Sequence, residues 1–294
     1  MKNDVAVDHP SDASAQPETF EPAPADDLPF AQRRTEDVPG HWLLARLGKT
    51  VLRPGGRRLT EAMVASLPAA GHDVVELAPG VGHTARLLLG AQPSSYQGVE
   101  EDPAAATITG GVVGDRGTVS IGNAKSTGLP GASADVVVNE AMLTMQTDRS
   151  KAQIVQEVSR VLRPGGSYAF HELALTPDGI DPRIATAVRK GLARSIKVNA
   201  RPLTVAEWTA LLTEHGFEVM SVRTAPMALL KLRRIIDDEG WRGTGRIIRN
   251  YLRDGEARSR VNDMWRTFHR YRASMIAVAV VARKAAPTGD PGRR

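Results

Sequence analysis

The sequence predicts a doubly wound α/β sheet with helices on both faces, and three observations predict it. Residues 74–85, VVELAPGVGHTA, read as an apolar strand, a glycine turn and the start of a helix, and residues 96–102, YQGVEED, read as a second strand ending in acids. Strand-sized and helix-sized segments then alternate, the pattern of a parallel sheet joined by crossover helices. Residues 134–138, ADVVV, are rich in β-branched side chains, as a strand buried on both faces requires.

The elements follow in order. Residues 1–37 carry Pro10, Pro17, Pro22, Pro24 and Pro29, lack periodicity and are acidic, so they are expected to form a disordered tail ahead of a domain at 38–285. Residues 41–51 place Trp42, Leu43, Leu47 and Val51 on one side of a short helix, which Pro54, Gly55 and Gly56 end. A second helix is expected at 59–67. Strands are expected at 73–77, 95–100, 118–121, 134–139, 167–173 and 217–224, with helices at 84–89, 103–109, 151–161 and 205–215. Residues 227–274 then form a basic insertion with helices at 228–238, 244–253 and 256–272, ahead of a strand at 275–283. Residues 286–294 are expected to be a flexible tail.

Composition narrows the function. There are no cysteines, which excludes disulfides, thiolate metal sites and a cysteine nucleophile; no metal is expected, and a cytoplasmic setting is. The amino-terminal segment lacks the apolar core of a signal peptide, and no apolar run is long enough to span a bilayer. The formal charge of +5 hides an asymmetry, acidic at the amino end and arginine-rich beyond Lys231.

The glycine turn admits two cofactors. Gly80, Gly82 and Ala85 fit the dinucleotide pattern G-x-G-x-x-G/A, so an NAD-binding oxidoreductase is one reading. Glu76 ends the preceding strand, however. A carboxylate repels a pyrophosphate and attracts the cationic methionine end of S-adenosylmethionine (AdoMet), which favours AdoMet. Glu100, closing the second strand, is the candidate for the ribose hydroxyls, with Glu101 and Asp102 as neighbours one and two places on.

These motifs, together with IGNA at 121–124, LPGASADVVVNEAML at 129–143 and RVLRPGGSYAFHEL at 160–173, resemble the class I AdoMet-dependent methyltransferases, and in particular their small-molecule, quinone-biosynthesis-like branch. The resemblance covers residues 73–222 and the last strand. It implies a Rossmann-like, seven-stranded, mostly parallel sheet whose last strand is antiparallel, with the helical insertion between the sixth and seventh strands. It also implies that Glu76 lies near the methionine amino group, that Ala78, Pro79, Gly80 and Gly82 form the turn around the cofactor, and that Asn123 and Ala124 border the adenine. By the same resemblance Asn139 and Glu140 end the fourth strand beneath the transferred methyl. Ala78 departs from the glycine common at the first turn position.

The candidates for acid–base work are His171 and Glu172, which strand alternation points to opposite faces, and Glu140. The expected reaction is methyl transfer to a small-molecule acceptor, giving S-adenosylhomocysteine. No Asn/Asp-Pro-Pro-Tyr run follows the fourth strand, which counts against DNA bases as acceptors. The insertion, leaving from the face where open α/β sheets bind ligands, is expected to cover or line the acceptor site. Its arginines also fit contact with RNA or an anionic membrane surface, in which case the chain would be a non-catalytic AdoMet-binding module.

Overall fold

The computed structural model describes residues 21–285. The elements run α1 (Gly40–Arg46), α2 (Gly56–Val64), β1 (Asp73–Leu77), α3 (His83–Gly90), β2 (Ser95–Glu100), α4 (Pro103–Val113), β3 (Thr118–Ile121), β4 (Ala134–Glu140), α5 (Asp148–Val161), β5 (Leu162–Leu175), α6 (Pro182–Ile196), β6 (Leu203–Thr204), α7 (Val205–Glu214), β7 (Phe217–Pro226), α8 (Leu232–Arg253), α9 (Gly255–Arg270) and β8 (Met275–Lys284). The sheet order is β3-β2-β1-β4-β5-β8-β7, with β6 lying beside β5. All pairings are parallel except those of β8, which runs antiparallel between β5 and β7. The seven expected strands are therefore present, and the short β6 makes an eighth.

Strand alternation builds the core in two layers. Val137, Tyr168, Phe170, Val278 and Val280 face α5 and α7, where they meet Ile154, Val158, Trp208 and Leu212. Their neighbours Val136, Val138, Ala169, Ala277 and Ala279 face Leu59, Met63 and Leu88 from α2 and α3. A strand covered on both sides must be apolar at every position, which is why residues 136–138 are three valines.

Four features differ from the expectations. The stretch to residue 37 is not tail throughout: Leu28 is buried against Trp42, Leu43 and Met264, and Arg260 donates to the carbonyls of Thr35 (2.6 Å) and Val38 (3.1 Å). Proline-rich composition concealed a few apolar anchors. The rest of that tail, and residues 286–294, lie outside the described residues. Helix α6 was not expected at all, although Asp181 caps it by accepting from Arg183 N at 2.7 Å and Pro182 opens it. Strand β5 starts five residues early, its backbone pairing with β4 across an irregularity between Ala134 and Val136. The two helices expected at 228–238 and 244–253 are one bent element, kinked where Gly240 takes φ +67°.

The insertion is tied to the amino-terminal helices by charge. Glu239 accepts from Lys49 Nζ (3.2 Å), Thr50 N (2.9 Å), Thr50 Oγ1 (2.7 Å) and Val51 N (3.0 Å), while Asp238 accepts from Arg57 N at 2.9 Å. Lys49 is fully buried, and Glu239 pairs its charge while Asp238 stands 3.5 Å away. The α1–α2 segment and the insertion thus form one covering over the carboxyl ends of the strands.

Candidate active site

The turn after β1 is built for close approach. Gly80 takes φ +65° with open space where a Cβ would stand, and Gly82, at φ +79°, has Val112 packed 3.0 Å from that position. A side chain at either position would strain the backbone, and at Gly82 the Val112 side chain would also have to give by a few tenths of an ångström. Ala78 also adopts a positive φ, +54°, where glycine would be relaxed. Glu100 locks the turn from β2: one carboxylate oxygen accepts from Gly80 N (2.9 Å), the other from Glu101 N (2.9 Å) and Asp102 N (3.2 Å). Burial pushes the Glu100 carboxyl up, and those backbone donors work against it. Asp102 caps α4 through Ala104 N and Ala105 N. Asn123 donates to Glu101 at 3.2 Å and folds its own carbonyl oxygen onto Lys125 N at 2.9 Å.

A cavity of about 680 Å³ opens from this turn. Ala78, Pro79, Gly80, Glu100, Asn123, Ala124, Glu140 and Glu172 line it, so most of the residues singled out in the sequence converge. Glu76, Gly82, Asn139 and His171 do not line it. Gly82 serves as the cap residue of α3, and the Asn139 side chain is buried below the cavity floor, accepting from the Tyr168 hydroxyl at 2.6 Å.

Glu76 is sealed in with the Tyr96 hydroxyl at 2.7 Å, and burial pushes its carboxyl up to about 8 despite that hydrogen bond. It is therefore protonated at neutral pH, and the charge attraction expected of it is weakened. The native state holds this proton between pH 4.5 and 8 and the unfolded chain releases it. The contribution is complete below the ordinary carboxyl range and is lost as pH rises through about 8. The difference in melting temperature between Glu76→Gln and the parent should therefore grow, in favour of the variant, from pH 5 to pH 9. A pH-independent difference would show that Glu76 is ionised in the fold.

At the ends of β4 and β5 the three acid–base candidates have other work. Glu140 accepts from the Thr60 hydroxyl at 2.5 Å, from His171 Nδ1 at 3.0 Å, and from Arg53 and Thr84. Burial alone would raise its carboxyl, but the Arg53 guanidinium and the His171 hydrogen bond outweigh it and hold Glu140 well below the usual range. His171 is wholly buried: its Nδ1–H donates to Glu140, and Nε2 accepts from Gly55 N at 3.0 Å. Its one lone pair is occupied, so it has no site for a substrate proton. Glu172 accepts from Met142 N (2.9 Å), Leu143 N (2.7 Å), Thr144 N (3.1 Å) and the Thr144 hydroxyl (2.7 Å). Strand alternation does separate the two, as expected. The structure makes His171 and Glu140 the anchors of the α1–α2 segment, and Glu172 the anchor of the loop after β4.

The far half of the cavity is apolar. Trp42 and Leu44 come from α1, Leu192 and Ile196 from α6, and Met264 and Phe268 from α9. The insertion therefore does line the cavity. Sequence reasoning missed His41, which also lines the cavity, its ring 5.0 Å from that of Trp42 between centres. Burial pulls it down to about 4, so it is neutral at physiological pH. Its signal was slight: one histidine in a short helix far from the strand ends.

Residues 75–170 match the family model described as a methyltransferase domain. An uncharacterized protein of Haemophilus influenzae is 33% identical over 255 residues, covering 85% of this chain and 99% of that protein. A probable S-adenosylmethionine-dependent methyltransferase of Mycolicibacterium smegmatis is 35% identical over 152 residues, spanning 51% of this chain and about half, 53%, of the relative. Among solved structures, phosphoethanolamine N-methyltransferase 2 of Haemonchus contortus, in complex with S-adenosyl-L-methionine, superposes with a TM-score of 0.63 at 16% identity, covering 84% of this chain and 57% of that one. The [4+2]-cyclase SpnF does so at 0.62 and 16%, covering 83% and 92%. At such identities the likeness shows the fold. The sheet order, glycine turn and acid-tipped second strand define a Rossmann-like methyltransferase fold. Residues 75–170 belong to the methyltransferase-domain family, and the chain has the class I S-adenosylmethionine-dependent methyltransferase fold.

Proposed function

We propose that this chain binds AdoMet and transfers its methyl group to a small, largely apolar acceptor. One observation carries the reading: the Gly80 turn and the Glu100 carboxylate, hydrogen-bonded together at 2.9 Å, open into the same cavity that Trp42, Met264 and Phe268 line on its far side. About 680 Å³ lies within the range of cofactor and ligand sites. Gly80 lets the backbone approach the cofactor, and the Glu100 oxygen that accepts from Gly80 N keeps a lone pair for a ribose hydroxyl. Ala124 and Asn123 frame the adenine.

AdoMet, when bound, supplies a methyl group already activated on a sulfonium. The protein's part is then positioning and exclusion of water. The apolar half orients the acceptor and keeps water out. His41 borders the same cavity, but the burial that pulls its imidazole down to about 4 disfavours the protonated form, so its part is to orient the acceptor, and His171 is fully engaged. Glu140, neutralised by Arg53, sets the height of the α1–α2 segment above the strand ends.

Parallel calorimetric titrations with AdoMet, S-adenosylhomocysteine and NAD test this. Saturable binding of the first two and not of NAD is expected. His41→Gln should bind both with parental affinity while losing no more than about tenfold in methyl transfer to any acceptor found by screening with labelled AdoMet, the size of one orienting hydrogen bond. Binding of NAD alone would make the protein an oxidoreductase, and cofactor binding without turnover on any acceptor would make it a binding module.

A further inference from the structure

Helix α8 beyond its Gly240 kink has its polarity reversed. Its inward side, packed on the protein, carries Gly243, Thr244, Ile247 and Asn250, with Asn250 Nδ2 donating to Leu47 O at 3.2 Å and Arg246 to Gly48 O at 3.4 Å. Its outward side carries Trp241, Ile248 and Leu252, which are 78%, 43% and 59% exposed. These three are spaced seven and four residues apart, so they form one stripe along the helix. Arg242, Arg249 and Arg253 repeat the same spacing about 100° further round and are also exposed. Residues 241–253 contain four arginines and no acid. Asp254 and Glu256 stand beyond the helix end, where Asp254 is turned to cap α9 by accepting from Ala257 N at 2.9 Å.

We infer that this face docks on an anionic membrane surface. A tryptophan and two aliphatic side chains enter the boundary between headgroups and acyl chains, while the adjacent arginines lie level with lipid phosphates, which their guanidinium groups bind through paired hydrogen bonds. The contact is peripheral, because among the described residues no helix is long and apolar enough to cross a membrane. Two other occupants fit less well. A second copy related by two-fold symmetry sets arginine stripe near arginine stripe with no acid on the face to pair with them. A nucleic acid satisfies the arginines but leaves Ile248 and Leu252 in water. The proposal is independent of the methyl-transfer reading. The same insertion also walls the apolar half of the cavity through Met264 and Phe268, so a docked enzyme holds that cavity close to the lipid.

The full chain is sedimented with vesicles of phosphatidylglycerol mixed with phosphatidylcholine and, separately, with vesicles of phosphatidylcholine alone. Binding to the first and not the second is expected, weakening as salt rises. Arg242→Glu with Arg249→Glu should weaken it by on the order of tenfold or more, and Trp241→Ser with Leu252→Ser should weaken it on the same vesicles. Both pairs lie outside the cavity, so an unchanged melting temperature and unchanged AdoMet titration show that each variant is folded. Absence of parental binding to anionic vesicles at low salt overturns the proposal, as does binding that ignores both pairs of substitutions. Retention of an oligomeric RNA, or a concentration-dependent dimer lost in the Trp241→Ser pair, in place of vesicle binding, also overturns it.

Discussion

Glu140→Ala is expected to lower the stability of the fold by about 3–5 kcal/mol, the range for removing one partner of a buried ion pair. The size follows from what is left behind. Arg53 is only 7% exposed and would keep its charge with no carboxylate beside it. The His171 Nδ1–H and the Thr60 and Thr84 hydroxyls would lose an acceptor in the same event. A cavity cannot fill this deficit, because the missing group is an acceptor of four bonds and the neighbours are all donors. The melting temperature should fall by roughly 10 °C in a chain of this size. Glu140→Gln keeps the volume and part of the acceptor capacity, so it should fall between. A loss below about 1 kcal/mol for the alanine variant would mean that Arg53 reaches water once released, and that the α1–α2 segment is not held by this pair.

That expectation could not have been formed from the sequence. Glu140 and His171 were legible as residues at strand ends, because a β-branched run and a following acid mark where β4 stops. Their partners were not. Arg53, Gly55 and Thr60 lie in a segment 80 or more residues earlier, whose local pattern says only that one helix stops and another begins. The sheet itself was legible because each strand carries its burial in its own residues: three valines in β4, and a valine pair before a glycine turn in β1. Helix α6 was missed although Asp181 and Pro182 signal its start. Its stripe of Ala185, Val188 and Leu192 is short of large side chains, because it packs against α9, whose tyrosine end closes on Gly191. Most of the turn residues were found from backbone chemistry, since the left-handed backbone at Gly80 and Gly82 favours glycine. His41 was missed for the opposite reason: its position over the cavity depends on how α1 docks, and that is set by Leu28, Met264 and the Glu239 anchor, all distant in sequence.

Glu100→Ala should weaken AdoMet binding by about 10- to 10²-fold. A ribose hydroxyl donating to the free site of this carboxylate makes a charge-assisted hydrogen bond, worth roughly 1.5–3 kcal/mol, and about 1.4 kcal/mol is a factor of ten. The alanine also frees Gly80 N, Glu101 N and Asp102 N, so the turn loses the group that holds it to β2. Calorimetric titration of the variant with both AdoMet and S-adenosylhomocysteine separates the causes. The two ligands share the ribose and differ in the sulfonium charge. An equal loss for both assigns the effect to the hydroxyl and the turn. A loss confined to AdoMet means that Glu100 acts through its charge on the sulfonium, and the ribose assignment fails. Circular dichroism and melting decide whether the turn has moved: with the fold intact and both affinities lowered alike, the carboxylate at the tip of β2 is the residue that selects an adenosine-bearing cofactor in this cavity.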